Sequence, residues 1–299
     1  MWFVLALCSA LCLGFYDVLR KYSLRGNAVL PVLLCSTVAS SLLMLPMLAG
    51  SRLGFIDTDS MLFVPPIDAH MHLLLVLKAA IVLASWIFVY YGLKYLPLSI
   101  VSPIRATAPI WTLIGAMIIF TERPNGTQWV GLVITLCFFL LFSLAGKREG
   151  INFKSNKWIW SVIIGTLIGS CSALYDKYIV NYEGLPRMSI LCYYSFYQVI
   201  LNIPLLFIIW YPTRKAQPFL WRWTIPMIGV IIIVADFLYY GAIDSEGSMI
   251  SLISPLRRSN AIVAFAMAAI IFKERNMLRK GLCLLGILTG IGIIIWGSM

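Results

Sequence analysis

Long, uninterrupted apolar runs dominate the sequence and restrict what the chain can fold into. Each run is about as long as the roughly 20 residues that cross a bilayer as a helix. The runs do not alternate polar and apolar residues, which excludes the strands of a membrane barrel. We place the spans at residues 2–23, 28–49, 72–94, 98–120, 127–145, 157–181, 188–211, 222–242, 248–271 and 278–297.

Composition indicates an integral, multi-pass membrane protein. Of the 299 residues, 61% are hydrophobic and only 12% are charged, whereas a soluble domain has about 25% charged residues. The net charge of +11 is spread over many loops, so we expect a lipid bilayer around the protein and no nucleic-acid partner. Most Lys and Arg residues follow the odd-numbered spans, a bias typical of a bacterial inner membrane that places both termini outside.

Four short features occur twice, in the same order, in the two halves of the chain. They predict two five-span repeats, at residues 1–149 and 150–299. Because five is odd, the second repeat must enter the membrane from the opposite side, an inverted topology typical of secondary transporters. The matches are Tyr16-Asp17 with Tyr175-Asp176, Tyr90-Tyr91-Gly92 with Tyr239-Tyr240-Gly241, Ser99 to Arg105 with Ser251 to Arg257, and Glu122-Arg123 with Glu274-Arg275.

These repeats resemble the EamA branch of the drug/metabolite transporter superfamily over nearly the whole chain. The features that carry the resemblance are Gly14-Phe15-Tyr16-Asp17 with Lys21, the Pro97 to Pro109 opening of the fourth span, Glu122 followed by Gly131, and Pro255 and Glu274 in the matching places.

The resemblance implies an all-α integral membrane protein with ten transmembrane helices in two inverted five-helix repeats around a central cavity. Helices one to four and six to nine would line the cavity, with the fifth and tenth to one side. Members move small metabolites, often amino acids or drugs, outward and sometimes in exchange for protons. They are usually drawn with both termini inside, the opposite of the orientation that the loop charges favour.

Arginines inside the spans are candidates for binding an anionic group, since a charge at the bilayer centre costs at least about 2.5–3.5 kcal/mol. Arg105 and Arg257 are repeat-equivalent, and each follows a proline by two positions. A guanidinium fork suits a carboxylate or a phosphate. The alternative is that both snorkel to the surface or pair with acids. Arg258 points about 100° away from Arg257 on a helix, so we do not expect both to line one pocket equally.

Two acids in the spans, Asp176 and Asp236, are candidates for substrate binding or proton coupling. Asp176 could instead pair with an arginine, and Asp236 with Lys78 or Lys177. Asp17 has bases three and four residues later, Arg20 and Lys21, which favours a local ion pair. Glu122 and Glu274 lie at span ends, where we expect an interfacial structural role.

Aromatic and amide side chains could complete the cavity wall, with packing or interhelical hydrogen bonds as the alternative. The predicted aromatic residues are Tyr16, Trp86, Tyr91, Tyr175 and Tyr240. Gln198 and Asn202 lie on one face of the seventh span.

No pattern in the sequence predicts an enzyme. Walker A, GxSxG and HExxH patterns are absent, and His70 and His72 without a third ligand do not predict a metal site. We therefore expect no cofactor, and a monomer or homodimer. The predicted function is secondary active export of a small organic metabolite, such as an amino acid or another carboxylate, by alternating access. The alternatives are export of cationic drugs through Asp176 or Asp236, and a non-transporting membrane assembly subunit.

Overall fold

A computed structural model describes residues 2–96, 101, 104–105, 107–144, 156–260, 263 and 277–297. Within these ranges the chain forms α-helices joined by short loops, and no strand. The helices are α1 (Trp2–Leu24), α2 (Val29–Arg52), α3 (Ala69–Tyr95), α4 (Ala108–Ile119), α5 (Gly126–Leu144), α6 (Lys157–Lys177), α7 (Arg187–Leu205), α8 (Thr224–Asp244), α9 (Ile250–Arg258) and α10 (Met277–Trp296).

Six segments of the described chain are long and apolar enough to cross a membrane: α1, α2, α3, α6, α7 and α8, with α6 and α7 extended by their following turns. Shorter apolar helices cover Ala108–Ile119, Gly126–Phe138 and Leu285–Trp296. This confirms an integral, multi-pass membrane protein. The starts of the predicted fourth span and the ends of the predicted ninth lie partly outside the described residues, as does Glu274.

Local signals explain where several helices begin and change form. Asp68 caps α3, its side chain accepting a hydrogen bond from Met71 N at 2.8 Å, and Asn156 caps α6 through Trp158 N at 3.0 Å. Such caps satisfy the free N–H groups of a first turn. Pro204 cannot donate its helical hydrogen bond, and a π-helical turn, Leu206–Trp210, follows it.

The helices of the first half pack mainly against helices of the second half. Helix α1 packs against α8, and α3 packs against α6. The α2–α7, α4–α9 and α5–α10 pairs each join one helix of the first half to one of the second. The α5–α10 contact is especially close, because a Cβ atom added at Gly131 would lie 2.7 Å from the carbonyl oxygen of Gly290. Small residues allow this approach between membrane helices.

Candidate functional site

A cavity of about 190 Å³ lies between the helices of the two halves. Helices α1, α3, α6, α8 and α9 supply most of its wall, together with Arg105 and with Tyr194 of α7. This volume holds several water molecules or one small organic molecule. Among the described residues, α5 and α10 contribute nothing to the wall, as the resemblance implies. In the described part of the chain α2 and α4 also contribute none, which differs from that expectation, although Arg105 of the predicted fourth span does line the cavity.

Seven of the predicted site residues line the cavity, although they are far apart in the sequence. Their side chains come from four helices of the bundle, from α9 and from the segment before α4. They are Tyr16, Trp86, Arg105, Asp176, Asp236, Tyr240 and Arg257.

The structure places two predicted aromatic residues outside the cavity wall. Tyr91 stacks on Trp158 with ring centroids 6.0 Å apart, because its neighbour Tyr90 is the residue that turns inward. The Tyr90 hydroxyl lies 3.1 Å from the Tyr16 hydroxyl, and successive residues on a helix point about 100° apart. Tyr175 donates a hydrogen bond to the carbonyl oxygen of Leu74 at 3.0 Å. Both predictions of cavity residues are therefore corrected to packing contacts.

The predicted amide residues of α7 also lie away from the cavity wall. Gln198 donates to the Tyr194 hydroxyl at 2.8 Å, and it thus supports a wall residue instead of forming the wall. Asn202 is fully buried. Neither polar atom of its side chain has a hydrogen-bond partner within the described part of the chain.

Asp176 forms a buried ion pair with Lys78 of α3, not with an arginine. Tyr240 also donates a hydrogen bond to this carboxylate, at 3.3 Å. The Lys78 ammonium lies 4.9 Å from the ring centre of Tyr194 and 5.3 Å from that of Tyr240. Aromatic faces stabilise a desolvated cation, so the pair is embedded among α3, α6, α7 and α8.

Asp236 is likewise not a lone carboxylate, because it pairs with Arg257 of α9. Arg257 lies 3.9 Å above the ring of Tyr239 and donates to the Ser9 hydroxyl at 3.3 Å. Its guanidinium is thus held by three protein groups. Asp236 therefore forms neither of the alternative pairs, with Lys78 or with Lys177, and Arg257 follows its own alternative of pairing with an acid.

Asp17 forms the predicted local ion pair with Arg20, at 2.6 Å. Its second oxygen accepts a hydrogen bond from Asn260 at 2.6 Å. Arg105 is farther away, with 3.8 Å between its guanidinium nitrogen and the Asp17 carboxylate. Arg20 is buried and lies about equally far from the rings of Tyr16 and Tyr90, at 5.1 and 5.0 Å.

Arg258 lines the same cavity as Arg257. The wall also includes Ser254 of α9 and Asn260 beyond its end, so it follows α9 through its last turn. Within the described part of the chain, Arg258 has no hydrogen bond and no ion pair. Five cationic residues and three acids line the cavity, which leaves an excess of two positive charges. They are Arg20, Lys78, Arg105, Arg257 and Arg258, with Asp17, Asp176 and Asp236.

Glu122 is buried at one end of the bundle, and its contacts are structural, as expected. Its carboxylate accepts hydrogen bonds from Ile250 N at 2.9 Å and from Ser251 N at 3.0 Å. It also accepts one from the Ser251 hydroxyl and pairs with Lys177. Glu122 thus caps the start of α9 and ties the end of α4 to α6 and α9.

The two histidines lie apart from the cavity wall. His70 is 3.8 Å from the Glu183 carboxylate, and His72 shares a 2.8 Å hydrogen bond with the Tyr197 hydroxyl. Within the described residues, no group of three His, Cys, Asp or Glu side chains is arranged to hold a metal ion.

Several wall residues were not among the predicted site residues. Lys78, Asp17, Arg20 and Arg258 have a visible signal, since each is a charge within or near a predicted apolar span. Tyr194 has no such signal, because it is one of several tyrosines on α7 and only the packing selects it.

The fold and the cavity together define a helical, multi-pass membrane protein with a charged internal site. Residues 1–144 match the model of the EamA-like transporter family. Over these residues the match confirms the resemblance to the EamA branch of the drug/metabolite transporter superfamily. No curated protein matches the sequence.

One solved structure, described as "Crystal structure of protein", is similar with a TM-score of 0.72 at 12% sequence identity. The similarity covers 98% of this chain and 96% of that chain. At this identity, the likeness concerns the fold alone.

Proposed function

We propose that the protein is a secondary active transporter that exports a small organic metabolite bearing a carboxylate, such as an amino acid, by alternating access. The observation that carries the proposal is the cavity, whose wall combines residues of both halves and an excess of positive charge. The match of residues 1–144 to the EamA-like transporter family supports a transport role. Members of that family often export their solutes, sometimes in exchange for protons, so both features are part of the proposal.

The proposal includes two inverted five-helix repeats, residues 1–149 and 150–299. The packing pattern supports it. If each helix is replaced by its counterpart in the other half, the α1–α8 contact becomes the α6–α3 contact, and both contacts are present. The α2–α7, α4–α9 and α5–α10 pairs convert into themselves. Two similar halves of opposite orientation can exchange conformations, which would open the cavity to one side and then to the other.

We also infer residence in a bacterial inner membrane. The concentration of Lys and Arg after the odd-numbered helices supports this location and places those loops in the cytoplasm. Cysteines introduced singly into the loop at residue 25 and the loop at residue 124 should differ in labelling by a membrane-impermeant reagent on intact cells. Labelling of both loops alike would contradict the proposed topology.

Transport is tested with the purified full chain in proteoliposomes and a panel of radiolabelled amino acids, monocarboxylates and dicarboxylates. We expect at least one carboxylate solute to move when a proton gradient is imposed, and Arg105→Gln to reduce that flux. Arg123→Gln is the matched control, because Arg123 is exposed and does not line the cavity. Absence of flux for the whole panel, under either direction of the gradient, would overturn the proposal.

Export of cationic drugs is less well supported by the cavity. Each of the described acids in its wall is already paired with a base: Asp176 with Lys78, Asp236 with Arg257, and Asp17 with Arg20. A cationic solute would have to displace one of these partners and would add to the positive excess.

A further inference from the structure

We propose that the transported solute is a small dianion, and that its two negative charges are held between the guanidinium groups of Arg105 and Arg258. This inference rests on the proposed function and narrows its solute from any carboxylate, amino acids included, to a solute with two negative charges. It replaces the repeat-equivalent pair that the sequence suggests, Arg105 and Arg257. Arg105 forms only a long ion pair, 3.8 Å from the Asp17 carboxylate that Arg20 also binds, and Arg258 forms no ion pair in the described part of the chain.

Three of the five cationic side chains in the cavity wall are paired with acids. Lys78, Arg257 and Arg20 each have their own carboxylate partner, in Asp176, Asp236 and Asp17. The three acids and three of the five bases therefore compensate one another.

Arg105 and Arg258 supply the two positive charges that remain. Arg105 is 3.8 Å from the Asp17 carboxylate, beyond hydrogen-bond distance, and the two oxygens of Asp17 already accept from Arg20 and Asn260. In the described part of the chain, Arg258 has no partner. The neighbouring sequence at 97–104 and 261–272 contains no ionisable side chain that could alter this balance.

Two uncompensated positive charges in the cavity are energetically unfavourable. Arginine stays charged in proteins, and two like charges enclosed by apolar helices repel each other strongly because the surroundings screen them poorly. A solute with two negative charges brings the wall to neutrality. A monoanion leaves one positive charge, and a zwitterion leaves two.

The surrounding wall offers both hydrogen-bond donors and an apolar surface to a solute. A guanidinium presents paired N–H donors that match the oxygens of a carboxylate or of a phosphate. Ser254, one turn before Arg258 on α9, and Asn260 also line the cavity and can donate hydrogen bonds. Trp86, Val82 and Val89 supply an apolar wall for a short carbon skeleton. Dicarboxylates and phosphate monoesters both fit this description.

The test measures binding to the full chain purified in detergent, by calorimetry, with four probes. Succinate and glycerol 3-phosphate are the dianions, butyrate is the monoanion and alanine is the zwitterion. We expect at least one dianion to bind at least about tenfold more tightly than butyrate and alanine, the factor that one additional charge-assisted hydrogen bond provides. The stronger of the two dianions identifies a carboxylate or a phosphate as the preferred group.

Variants separate this inference from a general loss of structure. Arg258→Gln should weaken dianion binding about tenfold or more and change butyrate binding less, so that the preference for two charges is reduced. Arg258→Lys, which keeps the charge but loses the fork, should retain the preference with weaker binding. Arg123→Gln should behave like the unmodified protein, and monodisperse elution shows that each variant is folded.

Two outcomes overturn the inference: neither dianion binds the folded protein, or Arg258→Gln leaves the dianion preference unchanged. Its failure is distinguishable from that of the proposed function. If the proteoliposomes transport a monoanion or a zwitterion, transport stands and the dianion inference fails. If a dianion binds through Arg258 but nothing crosses the vesicle membrane, the binding site stands and the proposed transport fails.

Discussion

Replacing Glu122 should loosen the start of α9 and lower the stability of the whole bundle. The Glu122 carboxylate holds three donors of Ile250 and Ser251 and pairs with the largely buried ammonium of Lys177. In Glu122→Gln the ion pair is lost, and the new amide NH₂ faces a backbone N–H that needs an acceptor. Lys177 is left as a buried charge without its carboxylate.

The magnitude follows from these contacts. Breaking a buried ion pair by removing one partner costs about 3–5 kcal/mol, and the unpaired N–H contributes to that loss. We therefore expect Glu122→Gln to lower the free energy of unfolding by about 3–5 kcal/mol. The measurement is reversible unfolding in mixed detergent micelles, with Arg123→Gln, at the neighbouring exposed position, as the control. We expect the control to change stability by no more than about 0.5 kcal/mol.

A double-mutant cycle with Lys177→Met tests the reasoning itself. Because Glu122 and Lys177 interact directly, the double variant should be more stable than the sum of the single losses predicts, by about 0.5–3 kcal/mol. Hydrogen exchange at the amides of Ile250 and Ser251 should also accelerate in Glu122→Gln. Additive losses together with unchanged exchange at these two amides would refute the assignment of Glu122 as the cap of α9.

Three further predictions concern the cavity wall and the helix contacts. Lys78→Met should cost about 3–5 kcal/mol because it leaves Asp176 buried and unpaired, whereas replacing both residues by apolar ones should recover most of that loss in the same micelle assay. Gly131→Val should destabilise the protein by about 1–3 kcal/mol or more, since a side chain there meets the α10 backbone at Gly290; unchanged unfolding would contradict the close α5–α10 contact. Tyr91→Phe should leave dianion binding unchanged in calorimetry, because Tyr91 lies outside the cavity wall, and a clear loss of affinity would show that it belongs to the site.

Hydropathy alone predicts most helix positions, because an apolar run of about 20 residues is typical of a helix that crosses the bilayer. The first predicted span, 2–23, compares with Trp2–Leu24 in the structure, and the eighth, 222–242, with Thr224–Asp244. Hydropathy gives less information about the loop between α2 and α3, part of which packs inward: Val64 is fully buried, and its N–H donates to Ser51 Oγ at 2.9 Å.

The charged wall residues could be predicted as a group, but their pairing could not. A charge within a span is visible in the sequence, and the cost of placing it in a bilayer indicates that it has a partner or a function. Which partner it has depends on the rotation and vertical register of helices that are distant in sequence. Lys78 and Asp176 are separated by 98 residues, and no local spacing rule connects them.

The same limit explains why Tyr91 was placed in the cavity and Arg258 was not. Tyr91 was an aromatic candidate, and Arg258 was set apart from Arg257 by helix geometry; in both cases the outcome depends on the rotation of the helix, which the sequence leaves free until the helix packs. Contact between the Tyr90 and Tyr16 hydroxyls fixes the rotation of α3, and this turns Tyr91 toward Trp158. On α9 the cavity wall follows the last turn, so a difference of about 100° between adjacent residues does not exclude either one.

Helix α9 connects the Glu122 cap at one end of the bundle to Arg258 of the cavity wall. Glu122 binds its first residues, Ile250 and Ser251, and Arg258 is its last residue. At about 1.5 Å per residue, the two ends of this short helix are only about 12 Å apart. An anion that neutralises Arg258 and the cap that holds Ile250 therefore act on the same rigid segment. Because Arg257 also ties this segment to α8 through Asp236, α9 cannot shift without breaking a buried ion pair, losing a cap or changing the distance between Arg105 and Arg258. This arrangement makes α9 the element through which occupancy of the cavity and the Glu122 cap would be linked.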